Sequence, residues 1–309
     1  MSASASKKVI FAALIGNAAI SITKFFAAFT TGSSAMLSEG IHSLVDTGNQ
    51  MLLLYGMKQA KKPADEDFPF GHGKEIYFWS FIVAILIFAV GAGVSIYEGI
   101  RHVIHPSQIE NPMVNYIVLG VAIIFEGGAW FFAFKEFGKI KGNRGYIEAV
   151  QRGKDPSMFV VLFEDSAALL GLFFALLGIW LTQVTGMPVF DGLASILIGL
   201  ILGGTAIWLA IETKGLLIGE GANKEVIASI RQLVNSFDEV EKVNELLTMH
   251  MGPEYILVNI SIRFKRGKLT RELETVIQEI DTLIKTRHVM VKRVFVEAES
   301  HLLATPASI

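Results

Sequence analysis

The chain has 309 residues, of which 52% are apolar and only 18% charged, and its mean hydropathy is +0.50. A soluble chain carries about a quarter charged residues, so the composition points to an integral membrane protein with a polar appendage. A net charge of −2 gives no support for a nucleic-acid partner, and the lack of cysteine excludes disulfides and thiolate metal sites. Any metal must therefore be held by His, Asp and Glu.

Long apolar runs fill residues 9–212, and the last hundred residues read as a soluble domain. A span needs about 20 mostly apolar residues. Six stretches qualify: Val9–Thr30, Ala35–Met57, Ile76–Ile100, Val114–Phe134, Met158–Val184 and Pro188–Ile211. The first is longer than the ~7–15-residue core of a signal peptide and carries Asn17 and Lys24, so it is read as a span. The connections alternate in charge. One set holds a single basic residue, Arg101. The other holds Lys7 and Lys8, then Lys58, Lys61, Lys62 and Lys74, then Lys135, Lys139, Lys141, Arg144, Arg152 and Lys154. That bias predicts six transmembrane helices with both ends in the cytoplasm, in the cytoplasmic membrane.

The second span, "LSEGIHSLVDTGNQMLLLYG", carries Glu39, His42 and Asp46. His42 and Asp46 are four residues apart, on one face of a helix. There they either bind one divalent cation together or hydrogen-bond each other or a neighbouring helix. An ionisable residue inside a membrane is a functional-site hypothesis by default. The fifth span, "FVVLFEDSAALLG", adds Glu164 and Asp165. Adjacent helical positions point about 100° apart, so one acid faces the second helix while its neighbour does not. Two acids so close call for a cation, a proton or a water-filled cavity. Glu126 in the fourth span is read as hydrogen-bonded to Asn17, Lys24 or Trp130, and Glu39 as peripheral.

From Asn223 the pattern becomes that of a soluble domain. Val226, Ile227, Ile230, Leu233, Val234 and Phe237 mark a helix with Asn223 as N-cap. "VNELLTMHM" and "YILVNISIRF" flank Gly252-Pro253-Glu254 as a hairpin. Thr270 opens a helix with Leu273, Val276, Ile277, Ile280 and Ile284 on one face, and "VMVKRVFVE" gives a last strand. The expected organisation is an integral membrane α-helical bundle, residues 1–212, and a small cytoplasmic α+β domain, residues 213–309. The latter is an α-β-β-α-β open-faced sandwich.

"GSSAMLSEGIHSLVDTGNQ", "FPFGHGKEIYFWS" and "FDGLASILIGLILG" together resemble the cation diffusion facilitator family of divalent-metal/proton antiporters, over essentially the whole chain. Within it, the Glu-Asp pair of the fifth helix resembles the branch of the mitochondrial-type zinc transporter. The resemblance implies a tetrahedral site of four His/Asp ligands from helices two and five, carried here by His42, Asp46 and Asp165. It also implies a homodimer formed through the C-terminal domain. The fourth ligand position, four residues before Asp165, is Val161, which cannot ligate. Glu164 is the substitute on offer, although its direction around the helix is unsuited to a direct swap, so the expected site is either three protein ligands plus a water or one that recruits Glu164 by local distortion. The metal is then Zn²⁺, or Mn²⁺ or Fe²⁺ if carboxylates dominate, and it is substrate rather than cofactor.

Accessory sites of relatives are weakened. His72 and Asp65 match ligand positions in the second inner loop, yet Phe68 replaces another His; a loop His bonded to its neighbours fits equally. Glu297, Glu299 and His301, with His250 of the hairpin, are read as solvated surface groups. No Gly-x-x-x-x-Gly-Lys-Ser/Thr phosphate loop occurs, which leaves an ion gradient as energy source, and no His-Glu-x-x-His marks a hydrolase. The expectation is a non-enzymatic exporter of a divalent cation in exchange for protons; the alternative is a sensor or scaffold with a degenerate site.

Overall fold

The computed structural model describes residues 3–141, 145, 146, 148, 149 and 156–299. Arg144, Arg152, Lys154 and His301 lie outside them. The chain packs as two units, one of residues 1–58 and 76–214, the other of residues 59–75 and 215–309.

The first unit is built of α1 (Ala3–Thr31), α2 (Ser34–Gln59), α3 (Glu75–Ile104), α4 (Pro112–Lys141), α5 (Pro156–Thr185) and α6 (Val189–Ile218). Pro112 and Pro156 open their helices at the position where a missing N–H costs nothing. Gly32 closes α1 at φ +71, a conformation that a side chain resists, and its N–H bonds to Ala28 O at 2.9 Å. Within α3, residues Ile87–Ala92 widen into a π-turn.

Among the described residues, four stretches are long and apolar enough to cross a membrane: Glu75–Ile104, Pro112–Lys135, Phe159–Thr185 and Val189–Ile218. They match the third to sixth expected spans. α2 is helical over its expected range but falls short in apolarity, because Ser34, Ser38, Glu39, His42, Ser43, Asp46 and Asn49 dilute it. These polar groups are turned inward, and all but Asp46 are buried. Around them Leu119, Val160, Leu172, Ile198 and Leu202 form the apolar core, while Phe29, Ile124, Phe132 and Ile211 face outward. An outward apolar and inward polar arrangement is what a bilayer solvent selects.

Small residues let α3 and α6 touch. A Cβ on Gly199 would stand 2.6 Å from Ile96 Cγ1, and one on Gly99 would stand 2.7 Å from Ile196 Cγ1. Backbones approach this closely only where side chains are absent. Along these two helices Gly91, Gly93 and Gly203 have room to spare, whereas Gly99, Gly192 and Gly199 make the contact.

In the second unit, α7 (Lys224–Asn235), β1 (Val240–Gly252), β2 (Tyr255–Phe264), α8 (Thr270–Arg287) and β3 (Val291–Ala298) follow the expected α-β-β-α-β order. β2 is central, antiparallel to β1 (Leu246↔Ile260) and parallel to β3 (Ile260↔Val296), with α8 as the crossover. Ile230, Leu233 and Val234 of α7 and Val276, Ile280 and Ile284 of α8 pack on Val258, Ile260 and Ile262. Asn223 caps α7 through its backbone, its carbonyl accepting from Val226 and Ile227.

The loop 59–75 belongs to this unit, which its position between two spans does not suggest. Phe70 meets the edge of Phe295 at 6.5 Å, and Lys74 Nζ donates to Leu217 O at 3.5 Å. A Cβ on Gly73 would collide with Met251 O. The glycines of "GHGKE" thus have separate reasons: Gly71 turns the chain at φ +81, and Gly73 admits the backbone of the β1–β2 hairpin.

Candidate metal centre

His42 lies on the inner face of α2, 1% exposed, with Nδ1 3.1 Å from Asp46 Oδ1. The pair is close but not aligned for a hydrogen bond, so both ring nitrogens and Asp46 Oδ1 lack hydrogen-bond partners. Opposite, α5 presents Glu164, which is buried and accepts a 2.5 Å bond from Asn49 Nδ2. The Glu164 carboxyl also lies within hydrogen-bonding reach of Asp46. Two carboxyl groups in contact require a proton or a cation between them.

Glu164, and not Asp165, is therefore the acid turned toward α2, the reverse of the expected direction. Asp165 is less buried and forms no hydrogen bond among the described residues. Val161 packs against the apolar core. Asn49, missed in the sequence, stands three residues beyond Asp46 and seven beyond His42, on the same face. Its Oδ1 is buried and without a donor. His42 Nε2, Asp46 Oδ1, Asn49 Oδ1 and Gln50 Oε1 thus form a run of unsatisfied buried atoms along α2. A buried acceptor left unpaired costs about 1–3 kcal/mol, and one cation satisfies several at once. Among the described residues, no group of three His, Asp or Glu side chains is gathered closely enough to hold a metal ion. In type, these nitrogen and oxygen donors suit a divalent cation.

One turn before His42, the chain holds a second buried charge cluster. Lys24 of α1 is fully buried and uses all three ammonium donors: Glu39 Oε2 at 2.9 Å, Ser43 Oγ at 2.8 Å and Glu126 Oε1 at 2.8 Å. Of the three partners considered for Glu126, Lys24 is the one found. Trp130 instead donates to Ser166 Oγ at 2.9 Å. Glu39 is not peripheral: it is wholly buried, and its Oε1 presses so near Gly171 of α5 that a Cβ there would collide. Its partner lies in α1, far away in the chain, which is why its own neighbourhood in the sequence does not reveal it.

α2 is also held at its start. Asp191, in the first turn of α6, accepts from Ser33 Oγ at 2.6 Å and from the backbone N–H groups of Ser34 and Ala35 at 2.5 and 3.3 Å. A helix N-terminus offers free N–H donors and a positive dipole end, and a carboxylate satisfies both. Ser38 and Ser195 add a 2.8 Å bond between the same helices.

The accessory positions are structural. His72 Nε2 lies 2.9 Å from Asp65 Oδ2. That hydrogen bond, with a second from the Phe68 N–H, holds the Asp65 carboxyl below the usual carboxylate range. His250 is buried, contrary to the surface reading, and its N–H bonds to Glu220 O at 2.9 Å. Glu297 accepts from Asn259 at 3.2 Å and Glu299 from Ser261 at 2.5 Å, so both serve the sheet.

Residues 10–218 match the cation efflux transmembrane domain family. Over 280 residues the chain is 33% identical to the proton-coupled zinc antiporter SLC30A9, mitochondrial, of Xenopus laevis, covering 90% of this chain and 50% of that protein. The human protein of the same name is 31% identical over 281 residues, 88% of this chain and 50% of its own. Metal tolerance protein C4 of Arabidopsis thaliana is 29% identical over 262 residues, 84% and 56%. The chain spans about half the length of these relatives.

Proposed function

The chain belongs to the cation efflux family, and from that premise we propose that it is a secondary transporter, exporting a divalent cation, foremost Zn²⁺, from the cytoplasm in exchange for protons. The observation that carries the reading is the close His42–Asp46 pair of α2 with Glu164 of α5 opposite, Asn49 bridging to Glu164 and acceptors of the set unsatisfied. Imidazole binds a metal only when neutral and carboxylates only when anionic. Metal and protons therefore compete for the same atoms, and binding one expels the other. Imidazole is the side chain whose ordinary range of titration lies nearest physiological pH, which suits it to such an exchange.

His42 supplies nitrogen, Asp46 and Glu164 supply charged oxygens, and Asn49 Oδ1 is the neutral fourth group; Asp165 stands by as an outer acid. Tetrahedral N/O sets suit Zn²⁺. In this reading α1 and α2 complete six spans, both ends of the chain face the cytoplasm, and two copies pair through the C-terminal unit. The zinc antiporters among the relatives support the metal and the proton coupling.

Purified protein in vesicles, with a Zn²⁺-sensitive dye inside and an imposed pH gradient, tests it. Wild type moves Zn²⁺; Glu164→Ala and Asp46→Ala lose about 100-fold or more, and Asp165→Ala about tenfold or less, in keeping with loss of a direct versus an outer partner. Binding without movement overturns the transporter in favour of a metal sensor. A larger loss from Asp165→Ala than from Glu164→Ala restores the ligand assignment implied by the resemblance.

A further inference from the structure

The connections α1–α2, α3–α4 and α5–α6 meet at one end of the helical unit, where Glu110 N–H bonds to Thr31 O at 2.9 Å and Ser33 Oγ donates to Asp191. There a cavity of about 290 Å³ is lined by Phe29, Ser33, Ser34, Glu98, His102 and His105, among others. His102, in the last turn of α3, is 8% exposed, and its Nε2 has no hydrogen-bond partner. The same atom stands 3.7 Å from Asp191 Oδ2. That is too long for a hydrogen bond and too short for indifference between charges. Asp191 Oδ2 is the oxygen that receives the Ser34 and Ala35 N–H groups at the start of α2.

We propose that His102 is the proton-binding residue of this end of the bundle, and that its imidazolium competes with the first turn of α2 for Asp191 Oδ2. The inference rests on the proton-exchange reading above and adds a residue that the metal site does not contain. A neutral ring leaves Asp191 to the helix. A proton taken from the cavity onto His102 makes Nε2 a charged donor, and a small movement of the ring closes the gap to Oδ2. The cap on α2 is then shared, and α2 is the helix that carries His42 and Asp46. Protons on this side thereby loosen the helix that binds the metal. The other charged groups facing the ring lie on its own helix and its end: Glu98 and Arg101, paired at 3.2 Å, and His105. α6 contributes Asp191, while the α1–α2 turn offers only hydroxyls and backbone.

Hydrogen exchange over Ser34–Ser38 in the full chain, corrected for the intrinsic pH dependence, decides the matter without transport. In wild type, exchange rises about tenfold from about pH 8 to about pH 5.5, the scale of one charge-assisted hydrogen bond. His102→Gln abolishes the rise, and Asp191→Ala, which leaves the Ser34 and Ala35 N–H groups without their acceptor, is high at both pH values. An equal rise in His102→Gln, or none in wild type, overturns the proposal. In vesicles, half-saturation by Zn²⁺ rises in wild type as this face is acidified, and His102→Gln removes that rise. A wild type that moves no Zn²⁺ defeats the transporter reading alone, since the exchange result still stands for or against His102.

Discussion

Lys24→Met is the most direct test of how the first unit is held together. The ammonium is wholly buried and links α1 to α2 through Glu39 and Ser43, and to α4 through Glu126, at 2.8–2.9 Å. Removing it strands two carboxylates that already carry unsatisfied oxygens, Glu39 Oε1 and Glu126 Oε2. Breaking a buried ion pair by deleting one partner costs about 3–5 kcal/mol, whereas replacing the whole set with apolar or neutral groups is close to neutral. Thermal unfolding in detergent, followed by the emission of the chain's 4 tryptophans, should show a midpoint lower by on the order of 10 °C. The triple variant Lys24→Met, Glu39→Gln, Glu126→Gln should regain most of that loss. A single variant that melts within about 2 °C of wild type refutes the reasoning, as does a triple variant less stable than the single.

Gly199→Leu should separate α3 from α6, since the added chain enters the space of Ile96 and the Ala92 carbonyl; a loss of about 1–3 kcal/mol by denaturant titration is expected for such overpacking. Gly73→Ala should release the loop 59–75 from the hairpin backbone, seen as faster tryptic cleavage after Lys61 with the melting of the helical unit unchanged. His288, whose Nε2 lies 3.1 Å from Ser229 Oγ, has its pKa lowered by burial and then by Arg287. The unfolded chain therefore binds the proton more readily. The stability from His288 is present above about pH 6.5 and is lost as pH falls through the lower folded value. Exchange protection of α8 should drop with acidification over that window, and His288→Gln should flatten the drop.

Periodicity made most of this architecture legible, because apolar spacing reports which face of an element is buried. Ile230, Leu233, Val276 and Ile280 needed nothing more. The inner polar face of α2 was equally readable at His42 and Asp46. What lay beyond reach were partnerships across sequence distance. Lys24 meets Glu39, Asp191 meets Ser34, and Gly73 meets Met251 through space alone. The rotation of α5 was misjudged for a related reason. Which of two adjacent acids faces α2 depends on how the neighbouring helices pack, and spacing along a single helix carries no record of that.

The Asp191 cap bears on how the chain is built into the bilayer. α2 has too many polar groups to be stable in lipid by itself, and the carboxylate that receives its first N–H groups is on the last helix of this unit to be synthesised. During translation α2 therefore waits, with its leading end wet and its acids unpaired with α5, until α6 arrives. The helix that carries His42 and Asp46 is thus among the first made and the last secured, and chains interrupted before α6 present quality control with an exposed polar helix end.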